Sequence, residues 1–228
     1  MKIRLLDSEI EFPPVSDASP EGILAVGGDL SAVRLIAAYE HGTFPWYDPG
    51  DPIIWWAPPT RAIIPLNGIR IHKSMRNELN KNRYTVTYDT CFSEVVKQCA
   101  TVKRSDSSHT WIDSDIHKSY CNLHKLGLAH SVETWLDDKL VGGLYGVSIG
   151  QMFFGESMFS NSTNASKFAL IHLVGKLVDW GFGPIDCQIM NPHLESLGAS
   201  EIPREDFSTL LSHKLKSAPT KKGPLTNL

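Results

Sequence analysis

The sequence lacks the cysteine and histidine patterns from which disulfide frameworks and metal sites are usually recognised. Four cysteines occur in 228 residues, and no two of them form a C-x-x-C pair. The nine histidines contain no H-x-x-x-H or H-E-x-x-H motif, and His117 and His124 are too far apart on one helix to share a metal without other ligands. We therefore expect reduced thiols, no metal site and no cofactor.

The chain also lacks a long apolar run and an excess of positive charge. No segment approaches the roughly 20 apolar residues that a membrane span requires. Acidic residues interrupt the N-terminal stretch MKIRLLDSEIEFPP, where a signal peptide would be apolar. The formal net charge of −3 argues against a dedicated nucleic-acid coat protein. We expect a cytoplasmic monomer without a membrane partner.

One short segment is basic in spite of the net charge. It runs from Arg70 to Arg83 and contains one acid, Glu78. It also contains His72 and five cations: Arg70, Lys73, Arg76, Lys81 and Arg83. Such a segment can hold the phosphates of a nucleic acid. It can equally be the solvated face of a helix, and charge alone leaves both interpretations open.

Proline is concentrated near the N-terminus, which favours short strands and rigid turns there. One helix is still predicted in this part, because Asp29 or Ser31 can cap its start and Gly42 can end it. We predict a small N-terminal domain over residues 1–62 and a larger domain over residues 63–228.

The larger domain alternates helical and extended patterns. Three extended runs between His130 and Met158 are separated by short turns and predict an antiparallel meander. A long helix from Ala165, a strand over Pro184–Gln188 and a helix from Arg204 follow. This order predicts an α+β fold.

The segment DCQIMN places two polar residues next to a cysteine. In an extended strand, Asp186 and Gln188 point to one face and Cys187 to the other. The two polar side chains must be hydrogen-bonded or solvated, either as a structural pair or as part of a reaction site. Cys187 is then a poor candidate nucleophile, because it faces away from them.

A carboxylate also lies inside an aromatic strand, MFFGESMF. An ionised Glu156 is costly there unless it is paired, so it either binds a ligand ammonium or hydroxyl or caps the following loop. The tryptophans of the Pro-rich stretch, Trp46, Trp55 and Trp56, are either core anchors or a stacking surface for a purine.

Several segments together resemble the leucyl/phenylalanyl-tRNA–protein transferase family. They are GGDLSAVRLIAAYEHGTFPWYDPGDPIIWWAPPTRAII, TWI, GLAHSVETW, LVGGLYGVSIGQMFFGESMFS, NASK and DCQIMNPHLESLGASEIPR. The similarity runs from about Gly22 to Phe207 in order and at family-like spacing. Two departures are minor: Leu144 stands where methionine is familiar, and the C-terminal tail is short of aromatic residues.

The resemblance implies a GNAT-like (N-acetyltransferase-like) catalytic domain behind a small N-terminal domain. It implies transfer of Leu, Phe or Met from aminoacyl-tRNA to acceptor proteins or peptides with N-terminal Arg or Lys, which marks them for degradation. By motif position it implies a polar reaction site of Glu156, Asp186 and Gln188. The other implied contacts are a side-chain pocket of Leu144, Phe153, Met158, Leu170 and Ile185, terminal-adenosine contacts at Trp46 and Trp111, and acceptor-stem contacts at Lys73, Arg76, Lys81 and Arg83.

Such a reaction would need neither ATP nor metal, because an aminoacyl ester is already activated. The attacking α-amine has a pKa near ~7.7–8.0, so a useful fraction is neutral at pH 7. Gln188 has no basic site, but its amide can orient the amine. Asp186 would fix Gln188 or bind the amine, and Glu156 would hold the aminoacyl-adenosine. The proton would leave through the substrate ribose hydroxyl, in preference to a relay through Asp186 and Gln188.

Two other functions are compatible with parts of the sequence. A coenzyme-A-dependent N-acetyltransferase of similar fold would carry a Q/R-x-x-G-x-G/A loop for the pyrophosphate, whereas the loop here reads GESMFSNSTNASK. A non-catalytic tRNA-binding module would bind RNA without forming a product.

Overall fold

The computed structural model describes residues 3–81, 83–102 and 110–219. Asn82 and most of the C-terminal tail lie outside these ranges. The fold is mixed α+β, as predicted, and a short 3-10 turn at Val15–Asp17 follows its first strand.

In chain order, the elements are β1 Arg4–Leu6, β2 Ile23–Gly27, α1 Ala32–His41, β3 Phe44–Pro45, β4 Ile54–Trp56, β5 Thr60–Ile64, α2 Lys73–Leu79, β6 Thr85–Tyr88, α3 Phe92–Ala100, α4 Ser114–Lys125, β7 Ala129–Leu136, β8 Lys139–Ile149, β9 Met152–Ser160, α5 Ala165–Asp179, β10 Ile185–Asp186, α6 Pro192–Leu197, β11 Ser200–Pro203 and α7 Arg204–Leu215.

The larger sheet has the strand order β11-β5-β10-β9-β8-β7-β6. Strands β7 to β9 form the predicted antiparallel meander, and β6 extends it by pairing antiparallel with β7. Asp137 and Asp138 adopt positive φ in its β7–β8 turn, a conformation that aspartate tolerates better than most residues. Strand β10 then pairs parallel to β9 and antiparallel to β5. The carboxyl end of β10 is therefore held between two neighbouring strands.

Helix α1 begins and ends as the sequence predicts. The Ser31 hydroxyl accepts a hydrogen bond from the Arg34 backbone N–H at 3.3 Å, which caps the first turn. Gly42 has φ 83° and closes the last turn in the left-handed conformation. Leu35 and Tyr39 are fully buried on the helix face that contacts the core. This burial fixes the direction of the Tyr39 side chain.

The predicted domain boundary at residue 62 falls inside β5, which belongs to the larger sheet. Strands β1 to β4 form a separate sheet in the order β1-β2-β4-β3. However, Leu35 of α1 and Trp55 of β4 share one core cluster with Phe92 of α3 and Ile116 of α4. The N-terminal part is thus built on its own sheet but packs into the core of the larger part.

Among the described residues, no helix is long and apolar enough to cross a membrane. No group of three or more His, Cys, Asp or Glu residues within those same ranges has a geometry that could hold a metal ion.

Candidate active site

A cavity of about 630 Å³ lies against β8, β9, β10, α5 and α6. Its volume is within the range typical of small-molecule sites. Its walls are mainly apolar, and Glu156 and Gln188 supply polar groups. Every residue predicted for the side-chain pocket is part of the lining: Leu144, Phe153, Met158, Leu170 and Ile185. The five apolar residues predicted for the side-chain pocket therefore line one continuous cavity.

Strand β9 carries a bulge at Glu156. Tyr145 of β8 pairs with Ser157, and the next residue, Gly146, pairs with Gly155. Glu156 is the extra residue between these two pairs. Bulges of this kind redirect a side chain and are common beside active sites.

The bulge also explains how Phe153 and Met158 line the same cavity. They are an odd number of positions apart, and in a regular strand they would point to opposite faces. The extra residue shifts the alternation, so both pack with the apolar cluster on the cavity side. Phe154 and Phe159 are correspondingly buried in the cluster on the other side.

The Glu156 carboxylate accepts hydrogen bonds from two tyrosines. Tyr39 Oη donates to Oε1 at 2.7 Å, and Tyr120 Oη donates to Oε2 at 3.0 Å. The two hydroxyls also contact each other. The Gln188 amide Nε2 lies 3.4 Å from Oε1. Glu156 is therefore fixed by α1 and α4 on one side and by Gln188 on the other, which favours a ligand-binding role over capping of a loop.

Burial raises the pKa of Glu156 to about 7, because a charged carboxylate is poorly solvated at this position. The hydrogen bonds from Tyr39 and Tyr120 oppose this effect by stabilising the ionised form. The negative charge of Asp186 raises the pKa further, and the positive charge of Arg61 lowers it. Glu156 consequently changes charge close to neutral pH.

This pKa predicts a pH-dependent stability difference between the wild type and Glu156→Gln. The folded pKa lies above the ordinary value of 4.5, so the carboxyl contributes stability fully below pH 4.5 and loses it as pH rises through about 7. The glutamine variant cannot lose a proton, so its stability relative to wild type should rise by on the order of 1–3 kcal/mol between pH 5 and 8.5. Urea denaturation across this range measures the difference. A constant difference would show that Glu156 does not titrate there.

Asp186 is not part of the cavity lining, in contrast to the predicted shared face with Gln188. Its side chain is fully buried, and both oxygens accept from Arg61: Nε donates to Oδ1 at 2.8 Å and Nη2 to Oδ2 at 2.7 Å. Asp186 therefore belongs to a buried ion pair behind the cavity.

Gln188 reaches the cavity because the chain leaves the strand. Strand β10 ends at Asp186, two residues before the predicted end, and Gln188 has a φ of 59°. Its backbone N–H donates to Asp186 Oδ1 at 3.0 Å, and its carbonyl accepts from the Ala62 N–H at 3.1 Å. A non-glycine residue at positive φ is costly and persists only where its surroundings hold it. Asp186 and Ala62 supply that restraint.

Cys187 also lines the cavity, so the prediction that it faces away is wrong. The strict alternation on which it rested ends with β10. Burial raises the pKa of its thiol, and the neighbouring charge of Asp186 acts in the same direction. The neutral thiol is a weak nucleophile. We therefore still predict that Cys187 is a poor nucleophile, now because of the raised pKa of its thiol and not because of its orientation.

The two tryptophans expected at the adenosine are not among the cavity residues. Trp46 is 43% exposed, and its ring centroid lies 5.7 Å from that of Trp56. Trp111 is only 8% exposed and packs in the core. Trp46 therefore offers a stacking surface, whereas Trp111 has little exposed surface.

The basic segment contains α2, and all four cations expected at the acceptor stem are exposed: Lys73, Arg76, Lys81 and Arg83. Glu78 forms an ion pair with Lys81. The Arg83 guanidinium lies 5.4 Å from the centre of the Tyr84 ring. This exposure suits a phosphate-binding surface and a solvated helix face alike.

Sequence reasoning missed three residues that build the polar site. Tyr39 and Tyr120 lie on the apolar faces of amphipathic helices, and Arg61 precedes the predicted domain boundary by one residue. A buried tyrosine hydroxyl usually finds a partner, and two such hydroxyls plus one carboxylate in an aromatic strand were a usable signal. The pairing of Arg61 with Asp186 spans most of the chain, and no local pattern indicates it.

The sequence of this chain matches two models of one protein family. The family model described as leucyl/phenylalanyl-tRNA protein transferase matches residues 63–212, and the model of that family's N-terminal domain matches residues 28–59. The chain belongs to this family. It is therefore a transferase. A leucyl/phenylalanyl-tRNA–protein transferase from Nitrosomonas europaea is 50% identical, covering 92% of this chain and 89% of that protein.

A protein of the same name from Nitrosospira multiformis is 51% identical, with 90% of this chain and 89% of that protein covered. Among solved structures, a GCN5-related N-acetyltransferase from Kribbella flavida aligns with a TM-score of 0.37 at 10% identity. That alignment covers 74% of this chain and 59% of the other.

Proposed function

We propose that this transferase moves leucine, phenylalanine or methionine from aminoacyl-tRNA to the α-amino group of proteins that begin with arginine or lysine. The observation that carries the proposal is the apolar cavity that meets Glu156 and Gln188. An apolar amino-acid side chain fits its walls, and the ester and incoming amine need polar groups beside it. Membership of the family supports the same substrate class.

The chemistry requires positioning more than activation. The aminoacyl ester already carries a good leaving group, the ribose hydroxyl of the terminal adenosine, so neither ATP nor metal enters the reaction. The amine must be held against the ester carbonyl, and correct placement of two reactants supplies a large part of such a rate. The side-chain amide oxygen of Gln188 can accept a hydrogen bond from that amine and orient it.

Glu156 holds the aminoacyl-adenosine in this scheme. Its oxygens accept from Tyr39 and Tyr120, and lone pairs remain for a substrate hydroxyl or ammonium. The Gln188 amide lies 3.4 Å from Oε1, so the two polar groups act on neighbouring atoms of the substrate. The proton leaves the amine through the substrate's own ribose hydroxyl.

The burial of Asp186 supports this route over a relay through Asp186 and Gln188. Both carboxylate oxygens are engaged by Arg61, and Asp186 does not line the cavity. A group without access to the substrate is poorly placed to take its proton. Asp186 therefore serves to hold Gln188.

The scaffold of the proposed enzyme is a GNAT-like catalytic domain behind a small N-terminal domain. The antiparallel meander followed by the parallel β9–β10 pair supports the first part, and the separate sheet of β1 to β4 supports the second. Transfer of an apolar residue to a basic N-terminus marks the acceptor for degradation.

The direct test combines the protein with radiolabelled leucyl-tRNA and a peptide that begins with arginine. We expect label in the peptide without ATP. The same peptide with an acetylated N-terminus should receive none, because its amine is blocked. RNA binding without peptide labelling would favour a binding module, and acetylation of a peptide from acetyl-coenzyme A would favour the other enzyme class.

Met158→Ala should reduce transfer of leucine and phenylalanine. Met158 lines the cavity and is only partly buried, and a lost apolar contact in a substrate pocket costs on the order of 1–3 kcal/mol, or about 10–200-fold. Comparison of kcat/KM for leucyl-tRNA and phenylalanyl-tRNA with the free energy of unfolding measures both effects.

Leu177→Ala is the matched control for the pocket, because Leu177 is fully buried in the same apolar cluster but does not line the cavity. This variant should lose stability, on the order of 2–5 kcal/mol, while its folded fraction keeps normal kcat/KM. The reverse pattern, in which Met158→Ala costs only stability, would move the side-chain pocket elsewhere.

Replacing Arg76, Lys81 and Arg83 with glutamine should weaken tRNA binding. Each lost phosphate contact reduces the slope of log affinity against log salt by about one unit. An aminoacyl-adenosine fragment should bind as before, because it does not reach this surface. Salt titrations of both ligands provide the measurement.

The control for charge alone replaces three exposed lysines of other elements: Lys118, Lys125 and Lys139. Both triple variants change the net charge equally. If the two salt slopes fall by the same amount, the basic segment around α2 has no special role and is a solvated face.

A further inference from the structure

Arg61 is a buried cation beside the polar site. Its side chain is 2% exposed, and its guanidinium lies between two aromatic rings, 4.7 Å from the centre of Phe44 and 4.5 Å from that of Phe207. Stacking of this kind holds a guanidinium plane in a fixed orientation. The rings thus orient its N–H groups before any substrate arrives.

One edge of this guanidinium sets the position of Gln188. Asp186 Oδ1 accepts from Arg61 Nε at 2.8 Å and from the Gln188 backbone N–H at 3.0 Å. The same oxygen therefore joins the arginine to the residue whose amide faces the cavity. The neighbouring residue, Ala62, also holds the Gln188 carbonyl. Strand β5 thus restrains both backbone groups of Gln188.

The third nitrogen of the guanidinium, Nη1, reaches the other half of the site. Arg61 Nη1 donates to the carbonyl of Gly42 at 3.1 Å, at the carboxyl end of α1. The last turn of α1 carries Tyr39, whose hydroxyl donates to Glu156. One guanidinium is therefore connected to Gln188 through Asp186 and to Glu156 through α1.

We propose that Arg61 is a positioning residue of the transfer reaction, which sets the spacing between the Gln188 amide and the Glu156 carboxylate. It does not touch the substrate and acts through Asp186 and Gly42. The role rests on the proposed function, in which both polar groups must engage neighbouring atoms of one substrate. Misplacement of a catalytic group by about 1 Å can cost on the order of 100-fold in rate.

Arg61→Lys is the informative substitution, because it keeps the positive charge that Asp186 needs. A lysine ammonium cannot make the two parallel bonds to a carboxylate or stack between two rings. We expect kcat for transfer to fall by about 10–100-fold, while KM for aminoacyl-tRNA stays within about twofold, since the side-chain pocket and RNA surface are unchanged.

Arg34→Lys is the matched control. Arg34 is also fully buried, and it donates to Asp29 and to the backbone carbonyls of Asp7 and Glu9, none of which lines the cavity. Both lysine variants should lose stability, but only Arg61→Lys should lose kcat. Equal kcat values in the two variants would overturn the positioning role and leave Arg61 with a structural one.

The double variant Arg61→Met/Asp186→Asn covers the case in which Arg61→Lys does not fold. It removes both buried charges at once, so neither is left uncompensated, and such replacements of buried ion pairs are often tolerated. We expect a folded protein with kcat reduced by about 10-fold or more. A folded double variant with wild-type kcat would refute the proposal.

A readout without RNA separates this inference from the proposed function. The side-chain amide resonances of Gln188 are recorded by NMR in wild type, Arg61→Lys and Arg34→Lys. A shift confined to Arg61→Lys supports the positioning role even if leucyl-tRNA is not a substrate. Unchanged Gln188 resonances contradict the role, whereas a wild-type protein that fails to label the peptide contradicts the proposed function alone.

Discussion

Asp186→Ala should destabilise the fold by on the order of 3–5 kcal/mol. The substitution leaves the Arg61 guanidinium buried, with its charge no longer balanced by the carboxylate that accepts from Nε and Nη2. It also frees the backbone N–H of Gln188, which is then held in a strained conformation by fewer contacts. Urea denaturation monitored by circular dichroism measures the loss, and any fall in transfer must be corrected for unfolded protein.

Asp29→Ala provides the comparison for this loss. Asp29 also pairs with a fully buried arginine, Arg34, but its own side chain is 52% exposed. A pair with one partner in solvent contributes about 0–1 kcal/mol. If the two alanine variants lose the same free energy of unfolding, the charge of Arg61 is compensated by other groups and Asp186 is not its main partner.

Gln188→Ala should lower the rate of peptide bond formation by about 100-fold or more while leaving the affinity for aminoacyl-tRNA nearly unchanged. The partner proposed for the amide is the incoming amine, which is absent from the tRNA complex. An interaction made mainly in the transition state lowers turnover, whereas one shared with the ground state changes affinity. Single-turnover transfer and tRNA affinity should be measured on the same preparations.

Gln188→Asn separates the side-chain contact from the backbone. Asparagine tolerates positive φ better than most residues, so this variant should fold at least as well as wild type. Its shorter amide cannot reach the same atoms, so transfer should still fall. Cys187→Ala should be mild because the thiol is neutral. Loss of transfer in Cys187→Ala together with full activity in Gln188→Ala would reopen a thiol mechanism.

Part of the apolar half of the site was accessible from the sequence because two of its residues belong to long elements with a regular pattern. Leu144 lies in β8 and Leu170 in α5, where periodicity indicates which residues share a face. The order of β7, β8 and β9 was predictable for the same reason. Family resemblance then indicated which of these apolar residues would line a cavity.

The polar half of the site depends on a local departure from regular strand geometry and on a contact between distant parts of the chain. Sequence periodicity predicts neither of them. Alternation predicted one face for Asp186 and Gln188, but β10 ends between them and Gln188 turns back at positive φ. Arg61 meets Asp186 through the antiparallel pairing of β5 with β10, a contact between distant parts of the chain. Such pairing has to be observed in three dimensions.

The bulge in β9 also adds the Glu156 carboxylate to the site without disturbing the alternation of the aromatic residues around it. Glu156 is the one extra residue between two pairs that would otherwise be consecutive. A strand without it would alternate regularly, and Phe153, Phe154, Met158 and Phe159 would all keep their present faces. The carboxylate therefore occupies a position of its own in the strand and does not take the place of an aromatic residue on either face of the sheet.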